Sequence, residues 1–197
     1  MTPKERWLAV LNGEKPDRVP MDYWATAEAS RKLIQHLGCE NMDQVFSQLH
    51  IDRVISVGPQ YTGPPPKSGE DIFGCRHQQA NYGTGIYSEC TYHPLAQFQS
   101  IEEIEENYTW VSPDWYDYSN IADQITNWED YPIRGGGSEP FLMYKNLRGQ
   151  EQAFIDLIEY PEIVHYCLDK LFDLAYQNTL RIYEKIPDKV MLSYVAE

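Results

Sequence analysis

Two aromatic and polar clusters in the sequence have side chains that could bind a small molecule. Asp22, Tyr23 and Trp24 follow a short run between two prolines, and Gln60 and Tyr61 follow an apolar run. Indole and phenol rings offer flat apolar surface with a polar handle, so they suit a planar ligand. Packing beneath a neighbouring hairpin is an equally open role for Tyr23 and Trp24. We expect these five residues at a substrate site.

A third cluster is rich in glycine. Gly136 and Gly137 lie within a run of three glycines, just before Ser138 and Glu139, between a predicted strand and a predicted helix. Backbone amides at such a place could bind a carboxylate or a phosphate. Alternatively, glycine is required because two backbones pass closely there. In either case we expect Gly136, Gly137 and Glu139 at the substrate site, and Glu197 at the end of the last predicted strand joins them.

The only metal-like grouping consists of Cys75, His77, Cys90 and His93. A hairpin that turns near Tyr82 would bring the four side chains together, as in a tetrahedral site. Their spacing matches no zinc motif, and cysteine and histidine on a half-buried hairpin are usually packing residues. We therefore assign no metal ligand here. A disulfide between Cys75 and Cys90 is disfavoured in a reducing compartment.

Strands and helices alternate along the chain, which favours an α/β fold with a parallel sheet. A capping box at Thr2 to Glu5 predicts the first helix. The predicted strands lie at 16–24, 52–57, 131–134 and 190–196, and an antiparallel hairpin lies at about 71–92. The main predicted helices lie at 26–37, 41–49, 100–106, 113–125, 139–147, 149–159 and 161–186. The carboxyl ends of the strands then place the candidate residues, and Arg134, at one edge.

Two stretches resemble the uroporphyrinogen decarboxylase superfamily: Met1 to Pro20, and Leu147 to Glu162 with the long helix that follows. The resemblance implies a (β/α)8 TIM barrel of the uroporphyrinogen decarboxylase type. Such a barrel needs about 250 residues, and this chain has 197. We therefore expect a single domain, 1–197, that forms the N-terminal part of the barrel, about the first four β/α units plus the hairpin. Its open edges predict self-association or support from a missing C-terminal half.

The resemblance leaves the reaction open between two branches. The tetrapyrrole decarboxylases carry an arginine-rich stretch after strand one and an aspartate after strand two. Here the stretch 21–31 has one late arginine, and 58–60 has no carboxylate. The resemblance therefore implies a methyltransferase-like enzyme that moves a methyl group between a corrinoid and a thiol or similar acceptor. Zinc and a corrinoid are expected for that reaction, with the zinc ligands beyond residue 197 and a corrinoid protein as a partner.

Two alternatives remain: a carboxy-lyase of tetrapyrrole metabolism, and a non-catalytic fragment or binding module. The composition excludes other classes. A net charge of −14 and a pI near 4.7 disfavour nucleic acid and anionic lipid as partners. No stretch approaches the roughly 18 apolar residues of a membrane span, and the four cysteines are scattered. We expect a cytoplasmic protein that binds a small molecule.

Overall fold

A parallel sheet of three strands organises the computed structural model, which describes residues 1–196. The strands are β1 (Ile55–Val57), β6 (Ile133–Ser138) and β7 (Val190–Val195), adjacent in the order β1-β6-β7. Both pairings are parallel. The predicted α/β class with a parallel sheet is confirmed. Within residues 1–196 the sheet remains open, with β1 and β7 as its edges.

The remaining strands form two small antiparallel pairs. β2 (Gln60–Tyr61) pairs with β5 (Tyr116–Asp117), and β3 (Arg76–Asn81) pairs with β4 (Ile86–Tyr92). The second pair is the predicted hairpin. The helices are α1 (Pro3–Leu11), α2 (Ala27–Leu37), α3 (Met42–Gln48), α4 (Ile101–Asn107), α5 (Ile121–Gln124), α6 (Pro140–Arg148), α7 (Gln150–Glu159) and α8 (Pro161–Lys185).

Helix ends follow the capping residues in the sequence. Thr2 and Glu5 form the predicted capping box, in which the Thr2 side chain accepts from the Glu5 amide and the Glu5 carboxylate accepts from the Thr2 amide. Thr26, Asn41 and Ser100 cap α2, α3 and α4 through their side-chain oxygens. These local hydrogen bonds satisfy amides that the helices themselves leave free.

The predicted first strand, Pro16 to Trp24, is wrong: this segment has no regular strand structure. Its only ladder-like contact joins Met21 and Asp52, where the Met21 carbonyl accepts from the Asp52 amide at 2.6 Å and the Asp52 carboxylate accepts from the Met21 amide at 3.0 Å. Prolines at 16 and 20 have no N–H to donate, so they prevent a continuous ladder. The segment is instead fixed by side chains.

The helix predicted past Ser112 and Pro113 and through about Ile125 is present only near its end, as α5. A 3-10 turn at Pro113–Trp115, the short strand β5 and the four-residue helix α5 take its place. Tyr116 and Asp117 pair with β2, which the apolar pattern of the sequence could not reveal.

One face of the sheet is covered by α8. Ile55, Val57 and Ile133 point toward Ile182 of this helix and Ile186 just after it, and form one buried cluster with them. A second cluster lies where α6, α7 and α8 meet, around the fully buried Tyr144 and Leu147. Burial of such side chains is the main source of stability in a domain of this kind. No helix in the described chain is both long and apolar enough to cross a membrane.

Candidate functional site

A cavity of about 490 Å³ lies at the carboxyl ends of β6 and β7, against α6 and the middle of α8. Its volume is within the range of about 300–1,000 Å³ that is typical of small-molecule pockets. Its lining combines aromatic, glycine, amide and aliphatic residues with two charged ones: Trp24, Phe73, Tyr116, Arg134, Gly136, Gly137, Ser138, Glu139, Pro140, Leu142, Met143, Asn146, Leu171, Leu174, Ala175, Asn178 and Tyr194. In parallel α/β sheets, ligands bind at this end of the strands.

Arg134 supplies the only lysine or arginine side chain in the lining of this cavity. Ile133 and Gly135 face α8, so Arg134 points to the opposite face of the sheet. On that face, opposite α8, its Nε and Nη2 donate to Ser56 Oγ on β1, at 3.0 and 2.7 Å. Its guanidinium carbon lies 5.8 Å from the centre of the Tyr194 ring. The hydroxyl and the ring hold the guanidinium in place at the cavity.

Arg134 also differs from the other arginines in its charge partners. The chain has eight arginines, and the other seven each form an ion pair with a carboxylate: Arg6, Arg18, Arg31, Arg53, Arg76, Arg148 and Arg181. Within residues 1–196, no carboxylate lies in ion-pair range of Arg134. In a protein with 30 acidic residues, an arginine with only neutral contacts is suited to bind an anion from outside the chain.

Trp24 forms the aromatic wall of the cavity. Its ring meets the Tyr194 ring edge to face, with centroids 5.5 Å apart and an interplanar angle of 81°. The Trp24 side chain is nevertheless 79% exposed, so most of its indole surface is open to a ligand. A flat exposed indole beside a guanidinium can stack on a planar molecule.

Amide groups from two helices line the other side. Asn146 projects from α6 and Asn178 from α8. The Asn178 Oδ1 accepts from the Tyr118 hydroxyl at 2.5 Å, which fixes the orientation of the amide. Tyr116 lies at the same rim, and burial raises its pKa, so its phenol is a neutral hydrogen-bonding group. This side of the cavity thus offers neutral donors and acceptors, in addition to the charged Arg134 and Glu139 of the lining.

The glycine run shapes the cavity by close packing. The strand β6 continues through all three glycines, whereas the sequence predicted that the strand ends before them. A Cβ on Gly137 would lie 1.9 Å from the Tyr194 carbonyl oxygen, and one on Gly136 would lie 2.3 Å from Thr179 Oγ1. Both residues also have positive φ angles. This geometry supports the interpretation that glycine is needed for close approach.

Four of the predicted site residues come together: Trp24, Gly136, Gly137 and Glu139 line the cavity. Glu139 is exposed and immediately precedes α6, and its side chain makes no capping hydrogen bond to that helix. Glu197 lies outside the described residues.

The other four predicted residues lie elsewhere. Tyr23 packs edge to face on Phe46 and its hydroxyl meets Ser30 Oγ at 3.1 Å, so it fixes α2 against α3. Asp22 accepts from the Tyr23 amide. Gln60 and Tyr61 form β2, and Tyr61 reaches the site only through its ring contact with Tyr116.

Sequence reasoning named Arg134 only as part of a range and missed Tyr194, Asn146 and Asn178. A signal existed for Tyr194, since it lies near the end of a predicted strand where the barrel rule places functional groups. The two asparagines lie within helices. Only the packing of those helices brings their side chains to the cavity.

Three members of the cysteine and histidine grouping meet at one carbonyl. Asn146 O accepts from His93 Nδ1 at 2.8 Å, from Cys75 Sγ at 3.4 Å and from Cys90 Sγ at 3.5 Å. His77 turns away to Asp71, at 2.9 Å. Burial raises the pKa of both thiols, so they are not poised as thiolate ligands. Among residues 1–196 no set of three or more His, Cys, Asp and Glu side chains could hold a metal ion.

Comparison of the chain with models of protein families, with curated proteins and with solved structures found no match.

Proposed function

We propose that the chain forms the substrate-binding part of a (β/α)8 barrel of the uroporphyrinogen decarboxylase type. In this proposal the protein is a methyltransferase-like enzyme that moves a methyl group between a corrinoid and a thiol or similar acceptor. The observation that carries the proposal is the cavity at the carboxyl ends of the parallel strands, with its exposed indole and single guanidinium.

The sheet geometry supports the barrel. The three strands are parallel neighbours in chain order, and a long helix covers one face of them. The opposite face carries polar groups, Ser56 and Arg134, joined across two strands. In a doubly wound α/β domain a second layer of helices would cover this face, and its residues would be mainly apolar. In the proposed barrel this face would point inward, and its polar groups lead to the cavity at the carboxyl ends of the strands, where barrel enzymes have their active sites.

The charges around the cavity favour methyl transfer over tetrapyrrole decarboxylation. A tetrapyrrole with several carboxylates needs several basic groups, whereas Arg134 is the only arginine or lysine of the lining and Glu139 adds an acidic group. After β1 the chain continues through 58–60, which has no carboxylate where the resemblance would place an aspartate. The Gln124 side chain accepts from the Gly58 amide at 3.1 Å and donates to the Gly58 carbonyl at 2.8 Å.

The metal implied by the family resemblance does not fit the described residues. None of the clusters in 1–196 could hold it, and the thiols of Cys75 and Cys90 donate to a backbone carbonyl. We therefore assign no catalytic step to this chain's cysteines. The corrinoid is carried by a partner protein in this proposal, and no residue is assigned to it.

The part played by this chain is to bind and orient the substrate. Trp24 provides a stacking surface, Arg134 neutralises a negative group, and Asn146 and Asn178 supply neutral hydrogen bonds. Fixing a substrate between rigid strands and helices lowers the entropic cost of reaching the reactive geometry.

A methyl-transfer assay tests the proposal. The full-length protein is incubated with zinc, methylcobalamin and a thiol, and both the loss of methylcobalamin and the formation of the methyl thioether are measured. We expect turnover that falls in Trp24→Ala but not in Tyr82→Ala, because Tyr82 is an exposed aromatic of the hairpin turn, outside the cavity. Absence of thioether would reject methyl transfer to thiols. Release of CO2 from uroporphyrinogen would instead favour the carboxy-lyase alternative.

A further inference from the structure

We infer that the cavity selects a small planar ring that carries one carboxylate, and that Arg134 binds this carboxylate. The inference rests on the proposed function only in taking the cavity as the substrate site; it does not depend on the reaction. It follows from three features of the cavity: the donors of Arg134, the surface of Trp24 and the balance of charges.

Ser56 uses only two of the N–H groups of the Arg134 guanidinium. The guanidinium carries five N–H groups, and Ser56 Oγ takes one from Nε and one from Nη2. Within residues 1–196 no hydrogen-bond acceptor takes the remaining N–H groups on Nη1 and Nη2. Those donors form the end of the guanidinium fork, which matches the two oxygens of a carboxylate. Ser56 therefore acts as a positioning residue that leaves this end open.

Trp24 and Tyr194 provide an aromatic surface for the ring of the ligand. Trp24 and Tyr194 stand edge to face at 5.5 Å, and the guanidinium lies 5.8 Å from the Tyr194 ring centre. A carboxylate bound at the fork would thus have an aromatic surface beside it for the ring that it is attached to. Since the Trp24 side chain is 79% exposed, stacking of a planar ring would remove apolar surface of both partners from water.

The charges limit the ligand to one negative group. Arg134 is the only basic residue in the lining, Glu139 lies at the same cavity, and the whole chain has a net charge of −14. A second carboxylate would find no cation and would approach an acidic surface. The cavity would thus attract a ligand with one carboxylate and repel a ligand with two.

Calorimetric titration of the complete chain with three probes tests the inference. Benzoate carries both the ring and the charge, benzamide carries the ring alone, and inorganic phosphate carries the charge alone. We expect benzoate to bind at least about tenfold more tightly than either of the others, because a hydrogen bond to a charged group is worth a factor of about 10 to 100. Trp24 fluorescence should change on saturation.

Variants then locate the site. Arg134→Gln should weaken benzoate binding about tenfold or more, and Arg134→Lys, which lacks the fork, should restore part of it. Arg31→Gln is the matched control, since it removes the same charge from an exposed arginine that pairs with Glu28; it should bind as the unchanged protein does. Thermal melts verify that each variant is folded.

Equal affinity of the unchanged protein for benzoate and benzamide would overturn the inference, and this comparison needs no variant to fold. Unchanged benzoate binding in a folded Arg134→Gln variant would overturn it as well. Phosphate that competes with benzoate at equal concentration would show an unselective anion site and would also reject the planar carboxylate. Benzoate binding without methyl transfer would leave the inference standing while rejecting the proposed reaction.

Discussion

Replacing Asp52 by asparagine should strongly destabilise the protein, because this side chain is the buried link between the amino-terminal segment and the sheet. Asp52 is 1% exposed. Its carboxylate accepts from Arg6, from Arg18 at 2.5 and 2.9 Å and from the Met21 amide at 3.0 Å. Asparagine keeps the shape but removes the charge, so two guanidinium groups lose their anion.

The expected cost follows from burial. Breaking a buried ion pair on one side costs about 3–5 kcal/mol, because it leaves an uncompensated charge away from water. Arg6 is 5% exposed but keeps Asp17 as a second partner at 2.6 Å, which favours the lower end of that range. An exposed pair is worth only about 0–1 kcal/mol. Asp43, which pairs with Arg53 and is 77% exposed, provides the matched comparison.

Urea unfolding measures the difference. With a slope of roughly 2–3 kcal/mol per molar for a chain of this size, a loss of 3–5 kcal/mol lowers the midpoint by about 1–2 M. Asp43→Asn should lower it by less than about 0.5 M. Trp24 follows Met21 in the tethered segment, so benzoate binding should also weaken in Asp52→Asn. Equal midpoints for the two variants would refute the idea that Asp52 holds this segment in place.

Three further predictions concern packing, pH and association. Gly137→Ala should unfold at a lower temperature and lose benzoate binding, since its Cβ would overlap the Tyr194 carbonyl; an unchanged melt would exclude this close approach. Stability should fall as the pH rises above 9, because burial raises the pKa of Cys167 to about 12 and also raises that of Tyr108. Below their ordinary pKa values of 9.0 and 10.0 both groups are protonated in the folded and in the unfolded state. Above those values the unfolded state loses these protons first, so the free energy of unfolding falls. A melting temperature that stays constant into the alkaline range would contradict this. The chain should self-associate in sedimentation velocity, and Tyr176→Asp should weaken this, since Tyr176 is 60% exposed on α8; a monodisperse unchanged protein would reject it.

Local signals in the sequence predicted much of the fold. Thr2, Thr26, Asn41 and Ser100 lie where their helices begin, because a cap depends on only three or four neighbouring residues. The last strand and the three carboxyl-terminal helices also lie where the apolar spacing and the positions of glycine and proline predict them. Each of these features is set by short-range chemistry.

Features that depend on contacts between residues far apart in the sequence could not be predicted from local patterns. The segment 16–24 has the aromatics and flanking prolines of a strand, yet side chains hold it to Asp52, about thirty residues away in the sequence. Tyr116 has no local reason to pair with Tyr61. Arg134 is informative only once the structure shows that every other arginine has a carboxylate partner and that it has none within 1–196. The sequence alone does not show which carboxylates lie near which arginines.

The most direct test of the cavity as a binding site is an NMR titration of the arginine side chains. The Nε–Hε signals of the eight arginines are recorded while benzoate is added, and the Arg134 signal is assigned by its loss in Arg134→Lys. We predict that the Arg134 signal moves and saturates, while the signals of the seven carboxylate-paired arginines stay in place. An Arg134 signal that does not move at saturating benzoate, or a shift confined to another arginine, would contradict the assignment of the cavity as the binding site.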